Sequence, residues 1–235
     1  MDEIIAKNMV DEIFLNIFKQ KCPFSLESII KEFAFDIRLP QEVKDSLTGN
    51  STWTSSVNAK QFITQTNMER YDEKYGWMLQ KKEFSNLEQL LNIWKKVNYI
   101  TTERVYDSIN VAKSDPIYKS ENVYMCTDCR GCKDILFSDG CGSCQGIIAS
   151  QRSADCTYCL RVDDSNSCSN SYNVICSAKI SNSFFIQDCN NLYECMFCSH
   201  IASKRYCIAN MEFNREEYFE IKKQIINWIL SSGVN

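Results

Sequence analysis

The chain has one histidine, three prolines and seven glycines in 235 residues. Its first 104 residues hold a single cysteine, Cys22. The shortage of histidine narrows the catalytic choices, because any Cys–His pair must use His200. No phosphate-cradling or dinucleotide glycine pattern occurs, nor a serine nucleophile elbow. No apolar run approaches the roughly 18 residues that span a bilayer, so no membrane segment is expected. The net charge of −4 comes from interspersed acids and bases, which leaves no basic footprint for nucleic acid. The start, MDEIIAKNMVDEIFLNIFKQ, is acidic and periodic, unlike a secretory signal. These absences predict a reducing setting, cytoplasmic or within an intracellular assembly, in which 14 cysteines stay thiols.

A hydrophobic content of 44% against 24% charged residues predicts a folded chain. Its two halves follow different rules. Ile4, Ile5, Met9, Val10, Ile13, Phe14, Ile17 and Phe18 recur at helical spacing, and SLESIIKEFAF reads as a second, shorter helix. Two such helices read as a packed hairpin. A DNA-recognition helix carrying Glu27, Glu32 and one lysine, Lys31, would repel phosphate. SLTGNSTW (46–53) reads as a turn or loop, and Ser85-Asn86-Leu87-Glu88 as a capping box opening a third helix. Residues 50–84 give no clear period.

Thirteen cysteines crowd residues 126–207. Written in blocks of twelve from Ile117, this half aligns without a gap: CRGCKDILFSDG, CGSCQGIIASQR, SADCTYCLRVDD and onward. Position 8 reads Tyr124, Leu136, Ile148, Leu160, Tyr172, Phe184, Met196, Ile208. Residues 117–200 contain 15 charged side chains, and none falls at positions 1, 4, 7, 8 or 10. Unpaired charge is too costly to bury, so those five positions are predicted to form an interior. A fixed period with a fixed interior describes a solenoid, each coil burying its face on neighbours about 4.8 Å away.

That geometry bears on CTDCRGCKDILFSDGCGSC, residues 126–144, whose CxxC spacing otherwise spells a zinc site. Positions 1, 4, 7 and 10 are three apart, so neighbouring inward cysteines produce CxxC automatically. Twelve of the thirteen cysteines occupy them, Cys176 being the exception. Compact thiols suit a thin interior. The first expectation is therefore structural thiols and no cofactor. Disulfides within Cys129/Cys132 and Cys141/Cys144 are a second. A zinc or iron site, or a redox response, at Cys126, Cys129, Cys132, Cys141 and Cys144 is a third.

Other chemistry is sparse. His200 falls at outward position 12 while Cys198 points inward. Asp139, Asp163, Asp164 and Asp188 form a loose acidic stripe that could serve a glycan-cleaving β-helix if suitably paired, or simply solvate an edge. With nine acids and six bases, residues 117–200 are too mixed to mimic duplex phosphate. Position 9 should face outward, yet holds Met125 and Phe137 at one end and Phe185 and Phe197 at the other. Either the flanking helices cover these stacks, or they dock another chain. Asn214-Arg215-Glu216-Glu217 opens a final helix with an apolar face of Tyr218, Ile221, Ile225, Trp228 and Ile229.

The closing stretch YCIANMEFNREEYFEIKKQI, residues 206–225, resembles an uncharacterised Cys-rich β-helix family of small-genome uncultured bacteria and large viruses. The resemblance covers about 117–225 and implies a fold without implying an activity. Members of that family often begin with a zinc-ribbon-like segment, which the helical first half here replaces.

The sequence thus predicts an α+β chain. Residues 1–104 form a mainly helical domain, 105–213 a narrow parallel β-solenoid of seven to eight coils, and 214–231 a capping helix. Right-handedness follows the general rule for parallel crossovers. The function expected is a non-enzymatic scaffold that binds another protein or self-assembles, as part of a virion or other complex.

Overall fold

A computed structural model describes residues 3–56 and 58–232. The protein is an α+β chain in which helices flank a parallel β-solenoid of about nine coils. Position numbers below follow the twelve-residue blocks, so coil 1 is 105–116 and coil 9 is 201–212. The ladder begins earlier than Ile117, since Val105 pairs with Ile117 and Val111 with Val123. Coil 1 contains no cysteine, which is why seven to eight coils were expected.

Pairing is in register throughout, each residue lying beside the one twelve further on: Lys133 beside Gln145, Ile147 beside Cys159, Val174 beside Ile186. The backbone explains the inward spacing of three. Positions 3, 6, 9 and 12 adopt left-handed φ, as at Asn122 (54°), Met125 (51°), Asp128 (46°) and Gly131 (64°). Each coil is therefore four short sides, and every side ends at a left-handed corner. That conformation is costly for most residues and easiest for Gly, Asn and Asp, which recur at position 6 as Asn122, Asp134, Gly146, Asn170 and Asn182. The corner amides also form rungs: Asn110 Nδ2 donates to Asn122 Oδ1 (3.0 Å), and Asn122 Nδ2 to Asp134 Oδ1 (2.6 Å).

Inward serine and cysteine satisfy backbone groups that the corners leave over. Ser120 Oγ donates to Tyr118 O (2.8 Å) and accepts the N–H of Cys132 in the next coil (3.1 Å). Ser177 does the same with Ile175 O and Cys189 N–H. Thiols donate likewise to the carbonyl two residues back, as Cys126 does to Tyr124 O (3.3 Å). Compactness alone, the reason inferred from sequence, is only half of why these residues fill the bore.

Position 8 is buried, as its lack of charge predicts, but not inside the coil. The bore cluster holds positions 1, 4, 7 and 10 alone. Tyr124, Leu136, Ile148, Leu160, Tyr172, Phe184, Met196 and Ile208 point outward into a second core. Helix α1 (Glu3–Phe18) and helix α2 (Leu26–Phe33) lie in that core. Phe18 meets Tyr172 and Phe184 at ring distances of 5.8 and 5.6 Å. An apolar residue next to an apolar inward residue can face either way, and only the spacing of three separates them. The α2 N-cap is Ser25, whose Oγ accepts the Ser28 N–H at 3.1 Å.

In chain order, between these helices and the solenoid, comes a lobe that the sequence leaves largely unassigned. Strand β1 (Gln41–Lys44) pairs antiparallel with β2 (Ser51–Thr54), so part of the stretch expected to be loop at 46–53 is strand. Strand β3 (Phe62–Thr64) leads into helix α3 (Gln65–Tyr75), and helix α4 (Leu87–Trp94) precedes strand β4 (Ile100–Thr102), which pairs parallel with β3. The cap of α4 is Asn86 rather than Ser85: its side chain accepts the Gln89 N–H, while Gln89 Oε1 accepts the Ser85 N–H. Buried Asp115 fastens the lobe to coil 1, accepting from Arg104 Nε (2.8 Å), the Arg104 N–H (3.0 Å) and the Ser55 N–H (3.1 Å).

The last coil closes in a two-residue turn, Ala209-Asn210, both at positive φ, which folds Met211–Glu212 antiparallel onto Cys207–Ile208. Helix α5 (Arg215–Ser232) follows, with the expected reciprocal cap between Asn214 and Glu217. Among the described residues no helix is long and apolar enough to cross a membrane.

Candidate functional site

The cysteines at 126–144 all lie in the bore. Their thiols donate to backbone carbonyls, as Cys129 does to Thr127 O (3.4 Å), Cys132 to Cys141 O (3.3 Å) and Cys144 to Gly142 O (3.1 Å). The five thiols are spread over three coils. They stack in columns about one coil spacing apart, whereas a zinc tetrahedron needs four sulfurs about 2.3 Å from one point. Among the described residues, no three His, Cys, Asp or Glu side chains are grouped to hold a metal ion. All fourteen cysteines are free thiols. Burial pushes the Cys159, Cys189 and Cys207 thiols up, which keeps them protonated and makes them weak nucleophiles and weak ligands, whereas neighbouring thiols push Cys132 and Cys141 down.

The position-9 stacks divide. Phe137 is fully buried, so it is not the exposed contact residue it was taken for, and half-buried Met125 packs against the same helix-lined core. At the other end, Phe185 and Phe197 stack face to face at 4.6 Å, and Trp228 of α5 lies 6.0 Å from Phe185. Phe197 is still 42% exposed. The flanking helices thus cover most of the aromatic surface that the sequence singled out.

The acidic stripe is not drawn together. Asp139 and Asp163 lie on either side of Gln151, two coils apart. The space beside Asp163, lined by Asp36, Gln151 and Arg161, is only about 10 Å³, too small for a sugar ring. Arg161 instead grips Asp36 at 2.8 Å and the Phe33 carbonyl at 2.9 Å, which anchors α2. Asp139 opens on a separate cleft of about 630 Å³ that it shares with Arg38, Arg130 and Arg152. His200 sits beside Asp188 at 3.7 Å and is exposed, whereas Cys198 is buried in the bore.

The surface that sequence reasoning missed is in the lobe. Met78 is 91% exposed, Leu87 67% and Trp94 53%, with Leu79, Phe84, Leu90 and Leu91 also exposed. Helix α4 has no buried residue at all. Leu91 and Trp94 open on an apolar cleft of about 690 Å³ that continues to Ala59, Lys60 and Ile100. Its charged lining residues are Lys60 and Lys95. The signal was present in LEQLLNIW, where Leu87, Leu90, Leu91 and Trp94 share one helical face. From sequence the stretch reads only as a capped helix, and its apolar face is not singled out.

No family model matches the chain, and no curated protein or solved structure matches it.

Proposed function

We propose that the protein is a non-enzymatic interaction scaffold, a component of a larger assembly whose recruiting surface is the lobe at residues 78–94. The observation that carries this reading is α4, an apolar helix without one buried residue. Apolar patches of this kind on a folded protein mark contact surfaces. Fully burying a leucine contributes about 1.5–3 kcal/mol, so a few such residues suffice for binding. Lys60 and Lys95 in the cleft lining select the partner's chemistry: an apolar segment of another protein flanked by Asp or Glu.

The test is a random displayed-peptide library panned on the full chain. Selected peptides are expected to combine Leu, Phe or Trp with acidic residues, and to lose binding about tenfold or more in the doubly substituted Leu91→Asp, Trp94→Asp protein. Both residues are exposed, so the substitutions leave the fold intact. Selection without acidic–apolar character, or binding indifferent to the double substitution, overturns the reading.

A further inference from the structure

The two ends of the solenoid are unlike. At the C-terminal end, position 4 of the last coil is Lys204, whose side chain is exposed and paired with Glu212 Oε1 at 2.5 Å on the folded-back strand. A charge there and a folded-back strand prevent further pairing. At the N-terminal end, strand Ile109–Ala112 is the last in its ladder and bonds only to Glu121–Tyr124. Ile109 is 67% exposed.

In each later coil the corner residues donate N–H to the coil before. Lys119 donates to Tyr106 O (2.9 Å), Met125 to Ala112 O (3.1 Å) and Asn170 to Thr157 O (3.0 Å). The carbonyls of positions 4 and 10 accept from the same direction, Ser120 O from the Ile109 N–H and Cys126 O from the Asp115 N–H. The equivalents in coil 1 are the N–H groups of Asp107, Asn110 and Lys113 and the carbonyls of Ser108 and Ser114. No coil precedes them. Asp107, Asn110 and Lys113 already hold the corner conformation, at φ 48°, 55° and 51°.

The lobe covers only the start of this mouth, where Gln65 Oε1 accepts the Val105 N–H at 2.9 Å. Beyond it, Ser108, Val111 and Ser114 line an open cavity of about 510 Å³ together with Gln65, Glu69 and Glu103. Lys113 also reaches the cavity, but its ammonium is engaged by Tyr124 Oη (2.9 Å) and Glu3 (3.3 Å). Glu69 Oε1 accepts from Gln65 Nε2 (3.0 Å), but among the described residues neither Glu69 nor Glu103 is in an ion pair, so the unpaired charge is carboxylate.

We infer that this open edge receives an extended strand of another protein, with small side chains at every third position and a cation facing Glu69 and Glu103. Such a strand continues the coil-to-coil ladder, with backbone hydrogen bonds giving affinity and alternate pockets giving selectivity. A second copy docked end to end would bring Glu69 and Glu103 toward their own counterparts, a like-charge approach. The surface is distinct from the α4 patch, and its test is independent of that reading.

The probe is a fluorescent twelve-residue peptide of repeating Val-Lys-Asn, titrated into the full chain by anisotropy. Saturable binding is expected, with slowed amide exchange at Asp107, Asn110 and Lys113. Ser108→Lys, which copies the Lys204 arrangement at the other end, should weaken binding about tenfold. Glu69→Gln, at an exposed site, should weaken it less and reduce its salt dependence. Leu91→Asp with Trp94→Asp should leave it unchanged. Absence of saturable binding, binding indifferent to both Ser108→Lys and Glu69→Gln, or a sedimentation mass of two chains joined through this edge would each overturn the inference.

Discussion

Lys222 Nζ on α5 lies 2.6 Å from Glu194 Oε2 at a corner of coil 8, and the two side chains are only 11% and 10% exposed. The ammonium also donates to the Asn182 carbonyl at 2.8 Å and sits over the Phe184 ring at 4.7 Å. Burial pushes the Lys222 pKa down, and Glu194 opposes it. A buried ion pair is a weak source of net stability, but it discriminates strongly against misplacement. Here it fixes where α5 crosses the coils, which an apolar stripe alone would let slide.

Removing one partner is therefore worse than removing both. Lys222→Met should cost about 3–5 kcal/mol, because Glu194 is left buried without its cation. Lys222→Met combined with Glu194→Gln should recover most of that loss. Urea unfolding followed by tryptophan fluorescence measures both, and a double variant no better than the single one would contradict the pairing argument.

Acid should loosen the lobe through Asp45. Burial alone would raise its pKa, but hydrogen bonds from Asn67 and from the N–H groups of Thr64, Thr48 and Leu47 outweigh it and bring the value to about 2. Since the folded value lies below the usual 3.8, the stabilisation is complete above pH 4 or so and is lost as pH falls toward 2. The depression corresponds to about 2 kcal/mol. Asp45→Asn should therefore flatten the acid limb of the stability–pH curve between about pH 4 and 2. An unchanged limb would show that other carboxylates carry it.

Thirteen thiols are buried and Cys176 is exposed. Iodoacetamide under native conditions should add one group, at Cys176, and fourteen in urea. Several native adducts among residues 126–144 would mean that the bore opens readily there.

Much of the solenoid could be read from the chain because charge avoidance and a strict period of twelve report on the same coil. What could not be read is direction. Leu160 and Cys159 are adjacent and equally apolar, yet one faces α1 and α2 while the other faces the bore. The corners were also legible in principle, through Asn and Asp at position 6, but Tyr158 and Glu194 occupy the same corners and blur that signal. The lobe was opaque because its strands are three or four residues long and its fastening groups, Asp45 and Asp115, act across up to 60 residues of sequence. The α4 patch was visible as an apolar face. Whether such a face is covered depends on tertiary placement, which periodicity does not encode.

The two cores can be separated by placing a charge in each. Val174→Asp puts a carboxylate in the bore, where no neighbour can solvate it without parting the coils, so soluble folded protein should be lost. Leu160→Asp puts one on the outer stripe, also fully buried, but there it can reach water if α1 and α2 lift away. That variant should lose about 4 kcal/mol or more, with amide protection failing across residues 3–33 while Gln145–Gln151 and Thr157–Asp163 keep theirs. Hydrogen exchange with mass spectrometry distinguishes the cases. If Leu160→Asp instead exposes the coil strands together with the helices, the helices and the solenoid form one cooperative unit, and position 8 is as much a part of its centre as the bore itself.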